Sequence, residues 1–328
     1  MSFVAGKLGR LAVSLTIATG LLVGAGTALA QKNYPNRPIT VIVPYPAGGG
    51  ADIGARTWAG LLEKELGVTV NVINRGGGAA VPGHSAIANG KPDGYTIGVL
   101  TNDISLYKPQ GLANLTYQDM RILGRATRIA SGINVSVESP YKTIQQLADA
   151  IKAHPGELKA TGAAPGVNWH IAFLGLMLDL GLPPESVIWV PTQGGTAGHL
   201  DVAAGNSTFS TASMAEATAL IGSDKLRPLA VMATERLENF PDTPTLAETI
   251  GSKWTYSVTH GIAGPKNLPD EIANRLIEAL GKVIQSDEFH KAMATRAIEV
   301  AWQPGDVFRE TLAEDLESTT RILQQVKR

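Results

Sequence analysis

The stretch VIVPYPAGGGADIGAR, residues 41–56, joins an apolar strand to a helical segment through three consecutive glycines. Glycine has no side chain, so a ligand can approach the backbone of such a turn closely. The first amides of the following helix have no acceptor within the helix, and the helix dipole adds roughly half a positive charge at that end. The stretch therefore predicts an anion-binding turn, suited to a phosphate, a sulfate or a carboxylate.

The first thirty residues predict export. They carry Lys7 and Arg10, then a run of small and apolar residues, and then Ala28-Leu29-Ala30 before Gln31. This order is typical of a secretory signal peptide that is cleaved near Ala30. A membrane anchor is disfavoured because the run is rich in Gly, Thr and Ala and is followed by a small-x-small cleavage site.

Composition limits the function of the exported chain, residues 31–328. Its length exceeds one typical domain, so we expect two lobes. Removing the signal takes away Lys7 and Arg10 and no acidic residue, which leaves a formal net charge of −3. That charge argues against a general nucleic-acid-binding surface. The sequence has no cysteine, which excludes disulfides and thiolate metal sites.

Short β-rich runs alternate with helical ones along the chain, which predicts an α/β protein with mostly parallel strands. Three strand-turn-helix units place glycine or another small residue where a helix begins, at residues 45–52, 162–170 and 194–197. In open α/β sheets, ligands bind beyond the carboxyl ends of the strands. We therefore expect these three loops to contribute to a binding site.

Signatures of catalysis are missing from the sequence. It has no Gly-x-Ser-x-Gly, no His-Glu-x-x-His and no Walker lysine, and its six histidines lack metal-ligand spacing. A dinucleotide-binding fold is the enzyme-type alternative. Gly48, Gly50 and Gly54 miss the usual spacing by one residue, however, and Asn74 and Arg75 stand where an acidic residue is expected. The sequence predicts neither an enzyme nor a resident cofactor or metal.

Six stretches, in this order and spacing, resemble the Bug receptors, the periplasmic solute-binding subunits of tripartite tricarboxylate transporters: YPNRPITVIVPYPAGGGAD, VINRGGGAAVPG, KPDGYTIG, HPGELKATG, VPTQGGTAGHLDVAAG and FPDTPTLAE. The resemblance spans the whole mature chain. It implies a two-lobed periplasmic binding protein fold, type II-like, in which each lobe is a mixed, mostly parallel sheet flanked by helices and a hinge joins the lobes. It also implies a receptor that closes on a small carboxylated solute and delivers it to membrane permease subunits.

On this basis we expect a signal peptide at residues 1–30, a first lobe of residues 31–131 plus 256–328, and a second lobe of residues 132–255. A monomeric periplasmic protein without catalytic activity is expected. Two alternatives stay open at this point. One is a ligand-sensing receptor of a signalling system, which differs only in its partner, and the other is an exported hydrolase of esters.

The resemblance also implies which residues bind the solute. The first loop falls on residues 45–52, where Asp52 would cap the helix, and the opposing loops fall on 162–170 and 194–197. For each glycine the alternative is a turn requirement without ligand contact. The ligand-binding residues so implied are Tyr45, Ala47, Gly48, Gly49, Gly50, Asp52, Gly162, Ala164, Gly166, Asn168, His170, Gly194, Gly195, Thr196 and Ala197.

The loop after the third strand, Thr101-Asn102-Asp103, departs from the family pattern by placing an acid at the cleft-facing position. We expect Thr101 and Asp103 to help decide which solute fits. Asp103 would either accept a hydrogen bond from a ligand hydroxyl or amine or repel a second ligand carboxylate, unless it is only a solvated loop acid. The three candidate loops contain no Lys or Arg, so amides, hydroxyls and helix ends would have to hold a carboxylate.

Overall fold

Two separate β-sheets, each flanked by helices, organise the chain. The structure is a computed structural model that describes residues 34–326, so the predicted signal peptide lies outside the described residues. Within the described range no helix combines the length and the apolar character needed to cross a membrane.

Six strands form the first sheet, in the order β11-β4-β10-β3-β1-β2. Their bounds are β1 Ile39–Val43, β2 Val70–Asn74, β3 Thr96–Thr101, β4 Met120–Ala130, β10 Ser257–Pro265 and β11 Glu299–Pro304. Five strands form the second sheet, in the order β7-β6-β8-β5-β9. Their bounds are β5 Gly132–Ser136, β6 Lys159–Thr161, β7 Ile188–Val190, β8 Phe209–Ser210 and β9 Leu226–Val231.

The helices follow the strands closely in sequence. Those that lead out of the first sheet or cover it are α1 Gly50–Leu66, α2 Val81–Ala88, α3 Ile104–Gln110, α9 Asp270–Ile284, α10 Asp287–Ala294 and α11 Gly305–Val326. Those between the strands of the second sheet, or beside it, are α4 Ile144–Ala153, α5 Asn168–Asp179, α6 Gly195–Ala203, α7 Met214–Gly222 and α8 Leu246–Ile250.

Both sheets are mixed, as the sequence predicts, but their parallel part is smaller than expected. β1 runs parallel to β2 and β3, and β6 runs parallel to β7 and β8. The pairings of β4, β10 and β11, and those of β5 with β8 and β9, are antiparallel. The reason is topological, because the chain leaves the first sheet through β4 and returns to it through β10.

The sequence pattern did not predict strand β4, because arginines interrupt its apolar run. Arg121, Arg125 and Arg128 occupy its partly exposed positions. Each has a partner nearby: Arg121 pairs with Asp270, Arg128 pairs with Glu299, and Arg125 Nε donates to the Ala301 carbonyl at 2.9 Å. These partners are distant in sequence, so a local pattern could not reveal the strand.

The two chain segments that connect the sheets run side by side. Met232 N donates to the Ser131 carbonyl at 2.9 Å, Ser131 N to the Tyr256 carbonyl at 3.0 Å, and Tyr256 N to the Met232 carbonyl at 2.9 Å. These residues lie between β4 and β5 and between β9 and β10. A pair of adjacent connections of this kind can bend together as a hinge.

Each sheet has its own apolar core. Trp58 and Leu62 of α1 and Leu276 and Leu280 of α9 belong to the core beside the first sheet. The α9 leucines recur at helical spacing and are buried, as expected for one face of an amphipathic helix. The last helix, α11, is shared, because Phe308 packs beside the first sheet whereas Ile322 belongs to the core beside the second. The division of residues between the two lobes stays a prediction.

The core beside α1 allows a direct test, because α1 carries two neighbouring leucines with different burial. Leu62 is 0% exposed, whereas Leu61 is only partly buried. We expect Leu62→Ala to lower the free energy of unfolding by about 2–5 kcal/mol, since it leaves a cavity. Urea denaturation measures this change. The matched control Leu61→Ala should cost clearly less, and equal losses would contradict the packing described here.

Candidate ligand-binding site

The predicted loops lie next to one another between the sheets. Ala51, in the first turn of α1, belongs to the same apolar cluster as Ala163 and Trp169 of the 162–170 loop. A Cβ built on Gly198 would lie 2.8 Å from the Gly162 Cα, so the start of α6 lies against that loop as well. We call the region bounded by residues 45–52, 162–170 and 194–197 the cleft.

The glycine turn leaves part of the α1 N-terminus free of protein acceptors. Gly48 has φ of +87°, a left-handed conformation that favours glycine, and Gly49 is the N-cap without a side-chain cap. Ile53 N donates to the Gly49 carbonyl at 3.0 Å, and Gly48 N donates to Asp52 Oδ2 at 2.9 Å. Within residues 34–326, the amides of Gly49 and Gly50 have no backbone or side-chain acceptor.

The sequence predicts that Asp52 caps the first amides of α1. In the structure it holds the glycine turn instead. Its carboxylate accepts from Gly48 N, from Arg56 Nε at 3.0 Å and from Asn74 Nδ2 at 2.8 Å. Burial acts to raise the pKa of Asp52, but these hydrogen bonds and the Arg56 charge outweigh it and hold the pKa below its ordinary value. Asp52 is therefore an ionised carboxylate with its own counterion.

Arg56 and Asn74 were not predicted as parts of this site. Two weak signals were present in the sequence, since Arg56 follows Asp52 at the i,i+4 spacing of a helical ion pair and Asn74 ends β2 at the cleft edge of the sheet. Asn74 Nδ2 also donates to the Tyr45 carbonyl at 3.0 Å. The two residues thus fix the loop that carries the free amides.

Asp103 joins the two halves of the cleft. Its Oδ2 accepts from the Tyr45 hydroxyl and, at 3.5 Å, from the Thr101 hydroxyl, and these two hydroxyls lie 2.8 Å apart. Its Oδ1 accepts from Asn168 N, the first residue of α5, at 3.2 Å. The Tyr256 hydroxyl in turn donates to Asn168 Oδ1 at 2.8 Å. A side chain that follows β3 of the first sheet therefore caps a helix of the second.

The Asp103 carboxylate has no counterion. Asp103 is 2% exposed, and it takes part in none of the ion pairs formed by residues 34–326. Burial raises the pKa of Asp103 to about 6, although the hydrogen bonds from Tyr45, Asn168 and Thr101 act in the opposite direction. The sequence alternative of a solvated loop acid is therefore wrong.

His170 shapes the 162–170 loop. Its Nδ1 accepts from Gly166 N at 3.0 Å, and its ring packs against Trp189 and Phe173 with centroid distances of 4.7 and 6.0 Å. Burial lowers the pKa of His170 to about 4, so the ring is neutral at neutral pH. Gln110, which the sequence did not single out, donates through Nε2 to the Gly166 carbonyl. Gly162 and Gly166 adopt φ of +156° and +81°, and Ala164 is exposed.

A second acidic side chain stands at the start of α6. Glu216 receives a hydrogen bond from the Ser213 hydroxyl at 2.7 Å and another from the Thr196 amide. A Cβ on Gly195 would overlap its carboxylate. Burial raises the pKa of Glu216 above its ordinary value. Sequence reasoning missed Glu216, although Ser213-x-x-Glu216 is a recognisable capping-box pattern. Gly194 is partly buried, Thr196 is exposed, and Ala197 is partly buried.

The described residues hold no cluster of metal-ligating side chains. Residues 34–326 contain no group of three His, Asp or Glu side chains arranged to bind a metal ion. The buried His84, His199 and His260 hydrogen-bond to protein hydroxyl groups instead.

Two sheets joined by paired connections, with helix N-termini meeting in the cleft between them, define a two-lobed periplasmic binding protein fold. The family assignment is more specific. The sequence model of the tripartite tricarboxylate transporter family receptor matches residues 55–327. The chain belongs to this family, which confirms the prediction of a receptor and not an enzyme.

Individual proteins support the assignment. BugT of Bordetella pertussis is 27% identical over 318 residues, which cover 95% of each chain. A TctC solute-binding protein from Polaromonas is 29% identical, with a TM-score of 0.71, and covers 89% of this chain and 99% of its own. MatC from Rhodopseudomonas palustris with bound malate shares the fold, with 20% identity and a TM-score of 0.78 over 88% of this chain and 99% of its own. R. palustris Rpa4515 with adipate also shares it, with 20% identity and a TM-score of 0.82 over 90% of this chain and 98% of its own.

Because Asp103 has no counterion, we expect the stability of the protein to depend on pH. Its pKa of about 6 in the folded protein lies above the ordinary 3.8 of the unfolded chain. The folded state therefore binds more protons between these values, and stability falls as pH rises through that window. The free energy of unfolding of Asp103→Asn, taken relative to that of wild type, should therefore rise by up to about 3 kcal/mol between pH 4 and pH 7.

Urea denaturation of wild type and variant across this pH range measures the gain. The partly buried Asp315 also has a pKa that desolvation raises to about 6, but it is present in both proteins, so its contribution cancels in the comparison. Asp149→Asn, on the exposed face of α4, is the matched control for losing one acidic side chain. A relative stability that stays constant with pH would contradict the account of Asp103.

Proposed function

We propose that the chain is a periplasmic receptor that closes on a small carboxylated solute and delivers it to the membrane permease subunits of a tripartite tricarboxylate transporter. The observation that carries the proposal is the pair of glycine amides, Gly49 and Gly50, that lack a protein acceptor at the start of α1. Family membership supports it, and so do the malate and adipate of two proteins with this fold. The export pattern of residues 1–30 supports the periplasmic location.

The solute carboxylate binds at the α1 N-terminus in this proposal. The glycines allow close approach, and the helix dipole favours negative charge there. The nearby Arg56 is already engaged by Asp52, with Nε 3.0 Å from Oδ1. Charge-assisted hydrogen bonds contribute about 1.5–3 kcal/mol each, and micromolar affinity requires about 8 kcal/mol. Several amides and hydroxyls from both sides of the cleft must therefore act together, which requires closure.

The contacts between the halves support closure as the binding motion. Asn168 N donates to Asp103, the Tyr256 hydroxyl donates to Asn168, and Gln110 donates to the Gly166 carbonyl. In our proposal residues 31–131 with 256–328 and residues 132–255 are the two lobes, and the paired connections at Ser131 and Tyr256 are the hinge. Opening breaks these few hydrogen bonds and separates Ala51 from Ala163 and Trp169, with which it shares an apolar cluster.

Gly49 provides the matched test of the carboxylate position. The nearest atom to a Cβ built on Gly49 is the Pro46 carbonyl oxygen at 3.9 Å, so the fold accommodates a larger residue there. We expect Gly49→Val to lower solute affinity at least tenfold, because its side chain covers the free amides. A thermal-shift screen of mono-, di- and tricarboxylates and amino acids identifies a ligand, and calorimetry then compares the proteins.

Gly60→Val is the control, since Gly60 lies on the exposed face of the same helix with no atom within 4 Å of a Cβ built there. It should bind like wild type. Gly195 is less suitable for this test, because a side chain there displaces Glu216. Unchanged affinity in folded Gly49→Val would refute the α1 site, and the absence of any carboxylate ligand in the screen would refute the solute class.

A further inference from the structure

Hydrogen-bond donors and acceptors are distributed unevenly across the cleft. On the side of the first sheet, the α1 N-terminus presents the amides of Gly49 and Gly50 without a protein acceptor. On the opposite side, one amide in the first turn of α5 and one in the first turn of α6 are engaged by acidic side chains of the protein itself. Asn168 N donates to Asp103, and Thr196 N donates to Glu216. Carboxylates without a basic partner thus stand at the starts of α5 and α6, whereas the only carboxylate at the α1 N-terminus, Asp52, is paired with Arg56.

The two acids on that side, Asp103 and Glu216, which we call the acidic end, also have no cationic partner. Neither Asp103 nor Glu216 forms an ion pair with a Lys or Arg of residues 34–326. Asp52, at the other end, has Arg56 beside it at 3.0 Å. A second solute carboxylate at the acidic end would meet like charge in a buried environment, where Coulomb interactions are strong. A cation at that end would meet an unneutralised carboxylate.

The Asp103 carboxylate has acceptor capacity for one more hydrogen-bond donor. An ionised carboxylate offers about four lone-pair positions. Asp103 uses three of them, for Tyr45, Thr101 and Asn168, and the Thr101 bond is long at 3.5 Å. The protein's own donors therefore leave part of the acceptor capacity of Asp103 unused.

We propose that the solute of this receptor carries a single carboxylate, bound at the α1 N-terminus, and a protonated amine at its other end, bound by Asp103. This inference rests on the function proposed above and narrows its solute class from carboxylates to amino-carboxylates. Asp103 is then the residue that selects against dicarboxylates of the same length. Glu216 adds negative charge to the same side of the cleft.

Matched pairs of solutes test the selection. The pairs are succinate against 4-aminobutanoate, glutarate against 5-aminopentanoate and adipate against 6-aminohexanoate, with pentanoate as the monocarboxylate lacking either group. Calorimetry at pH 7.5 measures each affinity for wild type, for Asp103→Asn and for the exposed control Asp149→Asn. Thermal melts establish that each variant is folded, and Asp103→Ser replaces Asp103→Asn if that variant is not.

Wild type and Asp149→Asn should bind at least one amino-carboxylate about tenfold or more tightly than its dicarboxylate partner, as expected for one charge-assisted hydrogen bond. In Asp103→Asn this ratio should fall about tenfold or reverse. A wild-type preference for the dicarboxylates, or an unchanged ratio in Asp103→Asn, would overturn the inference and leave the proposed function standing. An unchanged ratio would mean that Asp103 only holds the start of α5 and does not select the solute. If no carboxylate of either kind binds to wild type, both proposals fail.

Discussion

The buried hydrogen bond between the Asp103 carboxylate and the first amide of α5 is the constraint on which the cleft depends. It joins the end of β3 in the first sheet to a helix of the second, and Tyr45, Thr101 and Asn168 are positioned around it. A buried carboxylate without a counterion is costly, because desolvation disfavours its charge. The fold offsets this cost only in part, with hydroxyl and amide donors, and an incoming positive charge would reduce it further.

An acidic side chain lies at each of three helix starts in the cleft, and the chain accommodates these acids in two ways. At α1, Asp52 reaches back to the glycine turn and is neutralised by Arg56, which leaves the Gly49 and Gly50 amides free. At α5 and α6, Asp103 and Glu216 each accept from one amide and have no basic partner. Groups with raised pKa values tend to cluster at functional sites. The proposed preference for a solute with unequal ends depends on this difference between Asp52 and the two unpaired acids.

Local sequence patterns predicted most of the elements. The apolar strand before the three glycines is β1, and the glycine turn leads into the helical segment α1. Strand β4 was missed because its arginines are satisfied by partners far away in sequence. For the same reason the roles of Gln110 and Tyr256 were not visible, since each acts on the α5 loop across the cleft. Asp103 was noticed as an unusual loop acid, but its burial and its contact with α5 are properties of the folded chain.

Direct titration of the Asp103 carboxyl group tests the central claim. Carbon-13 NMR of aspartate-labelled protein, with the resonance assigned by its loss in Asp103→Asn, follows this group between pH 3 and pH 8. The account predicts a pKa of about 6 in the free protein and a lower value when an amino-carboxylate is bound, because a nearby ammonium favours the ionised form. A pKa close to the ordinary 3.8 that does not respond to such a solute would contradict it.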